Sequence, residues 1–358
     1  MAVQHYQLKV AHIIRETNDA VSLVFEQPPA TFAYKPGQYL TFLLNIGGES
    51  IRRAYSLCTS PLLGELPAVT VKRVENGVVS NYLNEQVQVG DTLEVLEPMG
   101  HFTLEVNEKK KRHVILFGGG SGITPLMSLA KSVLYKEPKS TVSLIYANRS
   151  LESAIFKKTL DELQQQFPKT LNVIHILEQA PDAQWQESTG LLDTALIKNL
   201  LKRLPNFIFN PTEYYMCGPR PMMDVVEKAF AELKLSKNNL RKEIFTSNLE
   251  EKTNATTVSS AEDAANLPTT TVTILYDGET HQVAVRADQT ILEAALALNI
   301  DLPYSCQSGM CTACMGKCTS GKVKLDEEDA LTPKELDEGY VLTCVGHPLT
   351  EDVVIQID

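Results

Sequence analysis

Four cysteines in the order Cys306-x4-Cys311-x2-Cys314-x29-Cys344 constrain this 358-residue chain more than any other feature. Three of them, with Cys318, crowd the stretch PYSCQSGMCTACMGKC, and the chain has only seven in all. An odd total gathered this way argues against a disulfide framework and for a metal or redox site in a reducing compartment. The opening MAVQHYQLKV has no apolar core followed by a small-residue cleavage site, so no secretory signal is expected. No apolar run reaches the roughly 18–20 residues that cross a bilayer, so the expected location is cytoplasmic.

The spacing separates two metal chemistries. Cys-x4-Cys-x2-Cys with a distant fourth cysteine is a ligand pattern for a [2Fe–2S] cluster, four thiolates on two irons. Structural zinc prefers two short hooks, and a second hook here would need Cys314-x3-Cys318 with Cys344 left over. Cys318 is therefore expected to be a buried small hydrophobe, and Cys306, Cys311, Cys314 and Cys344 the metal ligands. Ser305, Ser308, Gly309, Thr312 and Ala313 are small, which leaves the loop amides open to a negatively charged cluster. The seven histidines show no paired spacing that suggests a metal.

Charge and periodicity divide the chain. Residues 271–358 hold 5 basic against 15 acidic side chains, so nearly all of the net −11 lies there. Such a surface repels nucleic acid and anionic lipid and steers toward a basic protein, although it serves solubility equally well. Residues 1–108 carry brief alternating strands (VSLVFEQ, QYLTFLLNI, RRAYSLCT, AVTVKRV, DTLEVLEP) and one helix, VSNYLNEQV, which predicts an antiparallel β-barrel or sandwich. Residues 109–247 alternate strands (HVILF, TVSLIYA, LNVIHIL, EYYMCG, EIFTS) with helices (PLMSLAKSVL, SAIFKKTLDELQQQF, PMMDVVEKAFAEL), the pattern of an α/β domain with a parallel sheet. Residues 248–270 are poor in large apolar side chains and read as a flexible linker. From 271, TVTILYDGETHQVAV predicts a hairpin turning on Asp277-Gly278, and Thr290 and Glu293 a capping box.

Glycine turns supply further site candidates. In HVILFGGGSGITPLMSL an apolar strand enters Gly119, Gly120 and Gly122 before Thr124 and a helix, a setting in which amides approach phosphate. The dinucleotide template G-x-G-x-x-G fails here because its last glycine is Ile123, and G-x-S-x-G fails at the same residue. A merely tight strand–helix turn is the competing reading. Cys217, Gly218 and Pro219 form a second such strand end, and Gly77, Val78, Val79 and Ser80 a helix start suited to an anion.

Together these motifs give two resemblances. YSCQSGMCTACMGKC…TCVG resembles a plant-type ferredoxin domain, which implies a β-grasp fold. RAYSL, GGGSGITPL and CGPRPM resemble the flavin, pyridine-dinucleotide and nicotinamide-side motifs of the ferredoxin–NADP reductase superfamily. With the ferredoxin domain last, the chain resembles the reductase components of multicomponent oxygenases.

The resemblance implies a role for each residue. Tyr55 would pack on the isoalloxazine, Ser56 would bond near its reactive nitrogen, and Arg53 with Gly77 to Ser80 would hold the phosphates. Ala54, Val71 and Lys72 join this cofactor-binding set. Cys217 would border the nicotinamide, and Glu243 with Phe245 in KEIF would lie beside the flavin, plain core packing being the alternative for Phe245. Ser56, Cys217 and Glu243 are the implied catalytic set.

FAD is favoured because Gly77-x-x-Ser80 suits a diphosphate, although phthalate-type reductases of this domain order use FMN. Arg149 and Ser150 after the second strand favour NADPH, with NADH left open if Arg149 touches nothing. The implied function is an electron relay from NADPH through FAD and the [2Fe–2S] cluster to an oxygenase in aromatic (phenylacetyl-CoA-like) or steroid degradation. The oxygenase would dock on the acidic ferredoxin domain. A desaturase or another hydroxylase is an alternative client, and a non-redox zinc and nucleotide-binding protein the remote alternative.

Overall fold

The computed structural model describes residues 3–204, 211–236, 239–245, 268–307, 309–328 and 330–357. Most of the expected linker, and Ser308, lie outside them. Contacts divide the described chain into two units, one formed by 6–51 with 55–245 and the other by 3–5, 52–54 and 268–357.

The first strand, β1 (His5–Thr17), is the longest element of its sheet and was not anticipated. Its Tyr6, Leu8 and Val10 alternate inward, a period-2 signal obscured by the polar residues between them. β2 (Ala20–Phe25), β3 (Tyr39–Ile46), β4 (Glu49–Ser56), β5 (Ala68–Lys72) and β6 (Thr92–Leu96) match the other expected strands. They pair in the order β4-β3-β6-β1-β2-β5. Leu57, just past β4, bridges Val69 of β5, so the two edges meet and the antiparallel sheet curls on itself. Helix α1 (Val78–Glu85) plugs the curl with Val79 and Leu83.

The α/β part is a five-stranded parallel sheet, β11-β10-β7-β8-β9. Its strands are β7 (His113–Gly119), β8 (Thr141–Asn148), β9 (Leu171–Leu177), β10 (Thr212–Cys217) and β11 (Leu240–Glu243). Val114 and Leu116 of β7 pack in one core with α2 (Ile123–Lys136) and α3 (Lys157–Gln166). Ile115 and Phe117 pack in another with α4 (Thr194–Arg203) and α5 (Arg220–Glu232). A strand apolar on both faces is thus read out by two helix layers.

Three expectations shift. Helix α3 starts at Lys157, because Phe156 is left-handed at its N-cap. Helix α4 was overlooked, although Asp193 caps it by accepting from Leu196 N–H and Ile197 and Leu200 mark its buried face. The strand expected over EIFTS instead ends at Glu243. β10 stops at Cys217, leaving no partner beyond the pair Cys217–Glu243.

The barrel and the α/β part share one core, in which Phe102, Leu104 and Cys58 pack with α2. Arg112, 2% exposed, forks onto Glu137 (Nε–Oε2 3.0 Å, Nη2–Oε1 2.7 Å) and reaches Glu213 at 2.6 Å. Arg241 donates to the Thr103 carbonyl at 2.6 Å and to the Tyr215 hydroxyl at 3.1 Å.

The second unit is a β-grasp arrangement. β12 (Thr269–Tyr276) begins ahead of the expected domain start at 271, because the β-branched Thr269 and Thr270 pair with Arg286 and Val285 of β13 (Glu279–Arg286). The hairpin turns on Asp277 and Gly278, both at positive φ, as the Asp-Gly signal predicts. The sheet runs β13-β12-β18-β14-β16 through β14 (Met315–Ser320), β16 (Tyr340–Leu342) and β18 (Val354–Ile357), while β15 (Val323–Leu325) and β17 (Gly346–Pro348) pair separately. The helix Ile291–Ala297 packs on it and carries the complete Thr290–Glu293 capping box. Among the described residues no helix is long and apolar enough to cross a membrane.

His175 on β9 is 5% exposed and neither ring nitrogen has a hydrogen-bond partner. Burial, reinforced by the Lys157 charge and opposed by Asp161, lowers its pKa to about 4. Between the unfolded value near 6.5 and about 4, the unfolded chain binds a proton that the folded chain refuses. Stability should therefore fall as pH drops through that window, by on the order of 2–3 kcal/mol. In His175→Phe this acid slope should flatten in denaturant titrations between pH 7 and pH 4. An unchanged slope would show that His175 does not set it.

Candidate functional site

Parallel register brings the dispersed motifs into one row. Gly118 on β7 lies abreast of Cys217 on β10, and Cys217 abreast of Glu243 on β11. On the other side Gly118 faces Tyr146 of β8. The row lies at the carboxyl ends of parallel strands, where open α/β sheets bind ligands.

The two glycine turns interlock here. A Cβ on Gly122 would sit 2.0 Å from the Cys217 carbonyl oxygen. One on Gly119 would meet Met222 Sδ and Pro219 Cδ, both at 2.7 Å, and one on Gly218 would meet Met222 Cε at 2.6 Å. Backbone approach thus requires Gly122, while Met222 and Pro219 crowd Gly119 and Gly218. They bare peptide groups at the start of α2, where unpaired N–H groups favour an anion. Thr124 is buried, and its hydroxyl donates to the Ser121 carbonyl at 3.0 Å. Arg149 is exposed and Ser150 half-buried just past the end of β8.

Two carboxyl-end groups have unusual proton affinities. Burial raises the Glu243 carboxyl to about 8, and its Oε2 is enclosed without a hydrogen-bond partner although the residue as a whole is half-buried. Cys217 is fully buried, and burial followed by the neighbouring Glu243 holds its thiol well above the ordinary range. Phe245 is 40% exposed, so it is not a core side chain.

On the barrel, Tyr55 packs edge-on against Phe42 at 5.8 Å. Ser56 is 2% exposed and its hydroxyl has no hydrogen-bond partner. Arg53 and Ala54 precede them on β4, both half-buried, and an Arg53 Nη1 donates to the Arg52 carbonyl at 2.9 Å. Ser80 is committed to its own turn, accepting from Val74 N–H at 3.0 Å and donating to the Gly77 carbonyl at 3.4 Å. Its hydroxyl therefore shapes the loop, and Gly77, Val78 and Val79 present backbone at the helix start. Val71 is core, its carbonyl taken by the Asn84 amide, and Lys72 pairs with Asp19 at 3.6 Å. The enclosed, unpartnered oxygens of Ser56 and Glu243 fit a polar heterocycle such as an isoalloxazine.

In the second unit, Cys314 directly precedes β14 and Cys344 lies two residues past β16. These strands pair antiparallel through Met315 and Leu342. Thr343 fastens the join, its N–H and hydroxyl both donating to the Cys314 carbonyl at 3.1 Å. The Cys344 thiol hydrogen-bonds with those of Cys306 and Cys314, and the Cys311 thiol with that of Cys306. Among the described residues no three His, Cys, Asp or Glu side chains form a ready cation geometry.

These mutual hydrogen bonds, then burial, raise the Cys311 and Cys344 thiols. Four bare thiolates in one dry pocket repel, and bound cations would relieve that repulsion. The thiol set fits an iron–sulfur cluster. Gly309 is left-handed (φ 73°), and a Cβ there would lie 2.8 Å from Glu327 Cβ. Cys318 stands apart, half-buried rather than buried, with its thiol on the Ser320 carbonyl at 3.1 Å. Sequence reasoning missed Asn148, 8% exposed at the end of β8, and Tyr146, whose phenol the Asn148 side chain neighbours. Neither belongs to a glycine or cysteine motif.

Comparison with known proteins finds three family models along the chain. The chain matches an "Oxidoreductase FAD-binding domain" over residues 6–104, an "Oxidoreductase NAD-binding domain" over 116–228 and a "2Fe-2S iron-sulfur cluster binding domain" over 274–349. It is 35% identical to a subunit of the 1,2-phenylacetyl-CoA epoxidase of Escherichia coli K12, covering 99% of this chain and 98% of that one. It is 38% identical to the 3-ketosteroid-9-alpha-monooxygenase ferredoxin reductase component of Rhodococcus rhodochrous, covering 98% and 96%. In fold it resembles phthalate dioxygenase reductase, with TM-score 0.58 and 23% identity over 99% of this chain and 98% of that one.

Gly122→Ala should drive the Cys217 turn away from the glycine turn. NAD(P)H oxidation should lose about 10²-fold in kcat/KM while iron content is unchanged. Near-normal kcat/KM would show that the interlock has slack the backbone approach does not suggest.

Proposed function

The chain belongs to the family of flavin- and [2Fe–2S]-containing reductase components of oxygenase systems, and from that premise we propose how its residues divide the work. Electrons pass from a pyridine nucleotide through FAD and the cluster to an oxygenase component. FAD supplies the change from two-electron to one-electron transfer that a [2Fe–2S] cluster requires.

The residues of the chain position and insulate rather than react. The interlocked turns at Gly119–Gly122 and Cys217–Pro219 receive the nucleotide diphosphate and bring its nicotinamide end to the row of Cys217 and Glu243. Cys217 keeps its proton, so it borders that ring as a small neutral surface. Glu243 also keeps its proton up to about 8 and can donate it from Oε2. Ser56 offers its unpartnered hydroxyl to the flavin. Arg149, exposed just past β8, favours the 2′-phosphate of NADPH over NADH. Residues 271–358, net −10, favour a basic docking face on the oxygenase. The relatives favour an oxygenase acting on phenylacetyl-CoA or a ketosteroid. The observation that carries the reading is the single row of Gly118, Cys217 and Glu243 built from three separate strands.

Cys311→Ser should retain NADPH-to-ferricyanide activity and lose delivery to a reconstituted phenylacetyl-CoA or ketosteroid oxygenase. The wild-type rate of delivery should fall as salt is raised. Loss of the ferricyanide activity as well would refute the order of the relay. In Arg149→Ala the KM for NADPH should rise about tenfold with that for NADH unchanged. Equal effects on both would remove Arg149 from coenzyme choice.

A further inference from the structure

The nucleotide turn is held from beneath by a side chain outside every motif. Tyr146 is fully buried on β8, abreast of Gly118. Its hydroxyl stands 3.0 Å from the Gly120 carbonyl oxygen and 3.4 Å from that of Ile155. A phenol has one proton to give, and the shorter contact takes it. Burial raises the phenol far above its usual range, so it is always a donor. The Gly120 carbonyl also accepts the Ile123 N–H, which closes the single turn Gly120–Gly122.

This contact decides where an amide points. The peptide joining Gly120 to Ser121 is planar and trans, since the described chain has no cis bonds. Its C=O and N–H therefore point in opposite directions. With the Gly120 oxygen drawn to Tyr146, the Ser121 N–H of the same planar peptide is turned away from Tyr146. Gly120 sits at φ 51° and tolerates either orientation of the plane, so glycine alone does not hold the peptide in place.

The geometry points to Tyr146 as a positioning residue for the pyridine nucleotide: its hydroxyl locks the Gly120–Ser121 peptide so that the Ser121 N–H meets the diphosphate. This deepens the proposed function and rests on its assignment of the glycine turn to the nucleotide. The diphosphate is common to NADH and NADPH, so the lock serves both equally, whereas Arg149 discriminates between them.

Titration of flavin- and iron-loaded full-length Tyr146→Phe with NADP+ and with NAD+ tests it. Both dissociation constants should rise about five- to tenfold, and KM with them. Saturated kcat with ferricyanide, flavin content and iron content should be unchanged. Ser121→Pro, which deletes the N–H itself, should weaken binding similarly, and Tyr146→Phe added to it should cost nothing further. Constants within twofold of wild type, an effect on one nucleotide only, a fall in kcat at unchanged KM, or additive losses in the double variant would each overturn the role of Tyr146. Failure of the wild type to bind either nucleotide would instead refute the assignment of the turn, and with it the inference.

Discussion

The backbone approach of Gly122 to the carbonyl of Cys217 governs what the rest of the first unit can do. Two strand-to-helix turns, nearly a hundred residues apart, meet backbone to backbone because neither carries a side chain at the contact. Parallel pairing of β7 with β10 sets the meeting point, and pairing of β10 with β11 adds Glu243 to it. A side chain at either turn would separate the glycine amides from the Cys217 edge, and one ligand could no longer span both.

The second unit solves a different electrostatic problem. Four thiols are gathered here, and the chain supplies three from one loop. The fourth comes from the far side of a strand pair, tied down by Thr343. The loop takes left-handed backbone at Gln307 and Gly309 to curl its cysteines inward. Their thiol neighbours and burial hold the Cys311 and Cys344 thiols above the ordinary range, so cations that take the place of those protons would relieve the crowding.

Between the barrel and the α/β sheet, rigidity comes from polar contacts as much as from the shared core. Arg112 and Glu137 are both almost wholly enclosed, and Glu213, Ser140 and the Asn107 N–H satisfy their remaining valences. A buried ion pair of this kind contributes little net stability but penalises any arrangement that breaks it. The connection through residues 105–112 is thereby held in place within the compact unit that contains both Ser56 and the glycine turns.

The amino-acid sequence alone determined the chemistry and the domain classes. Cysteine spacing, glycine turns and the change of period from barrel to α/β are local signals, and each survives without knowledge of the rest of the chain. So are the Asp277-Gly278 turn, which joins the paired Tyr276 and Glu279, and the Thr290–Glu293 capping box, each closing on residues three apart. The long strand β1 and helix α4 were missed because their apolar residues are diluted by polar ones, and burial revealed only on packing identifies them. Tertiary structure decided that β11 stops where β10 stops, that Ser80 serves its own turn, and that Tyr146 lies under Gly120. These facts depend on register between distant strands, and no pairing of sequence neighbours encodes which residues will stand abreast.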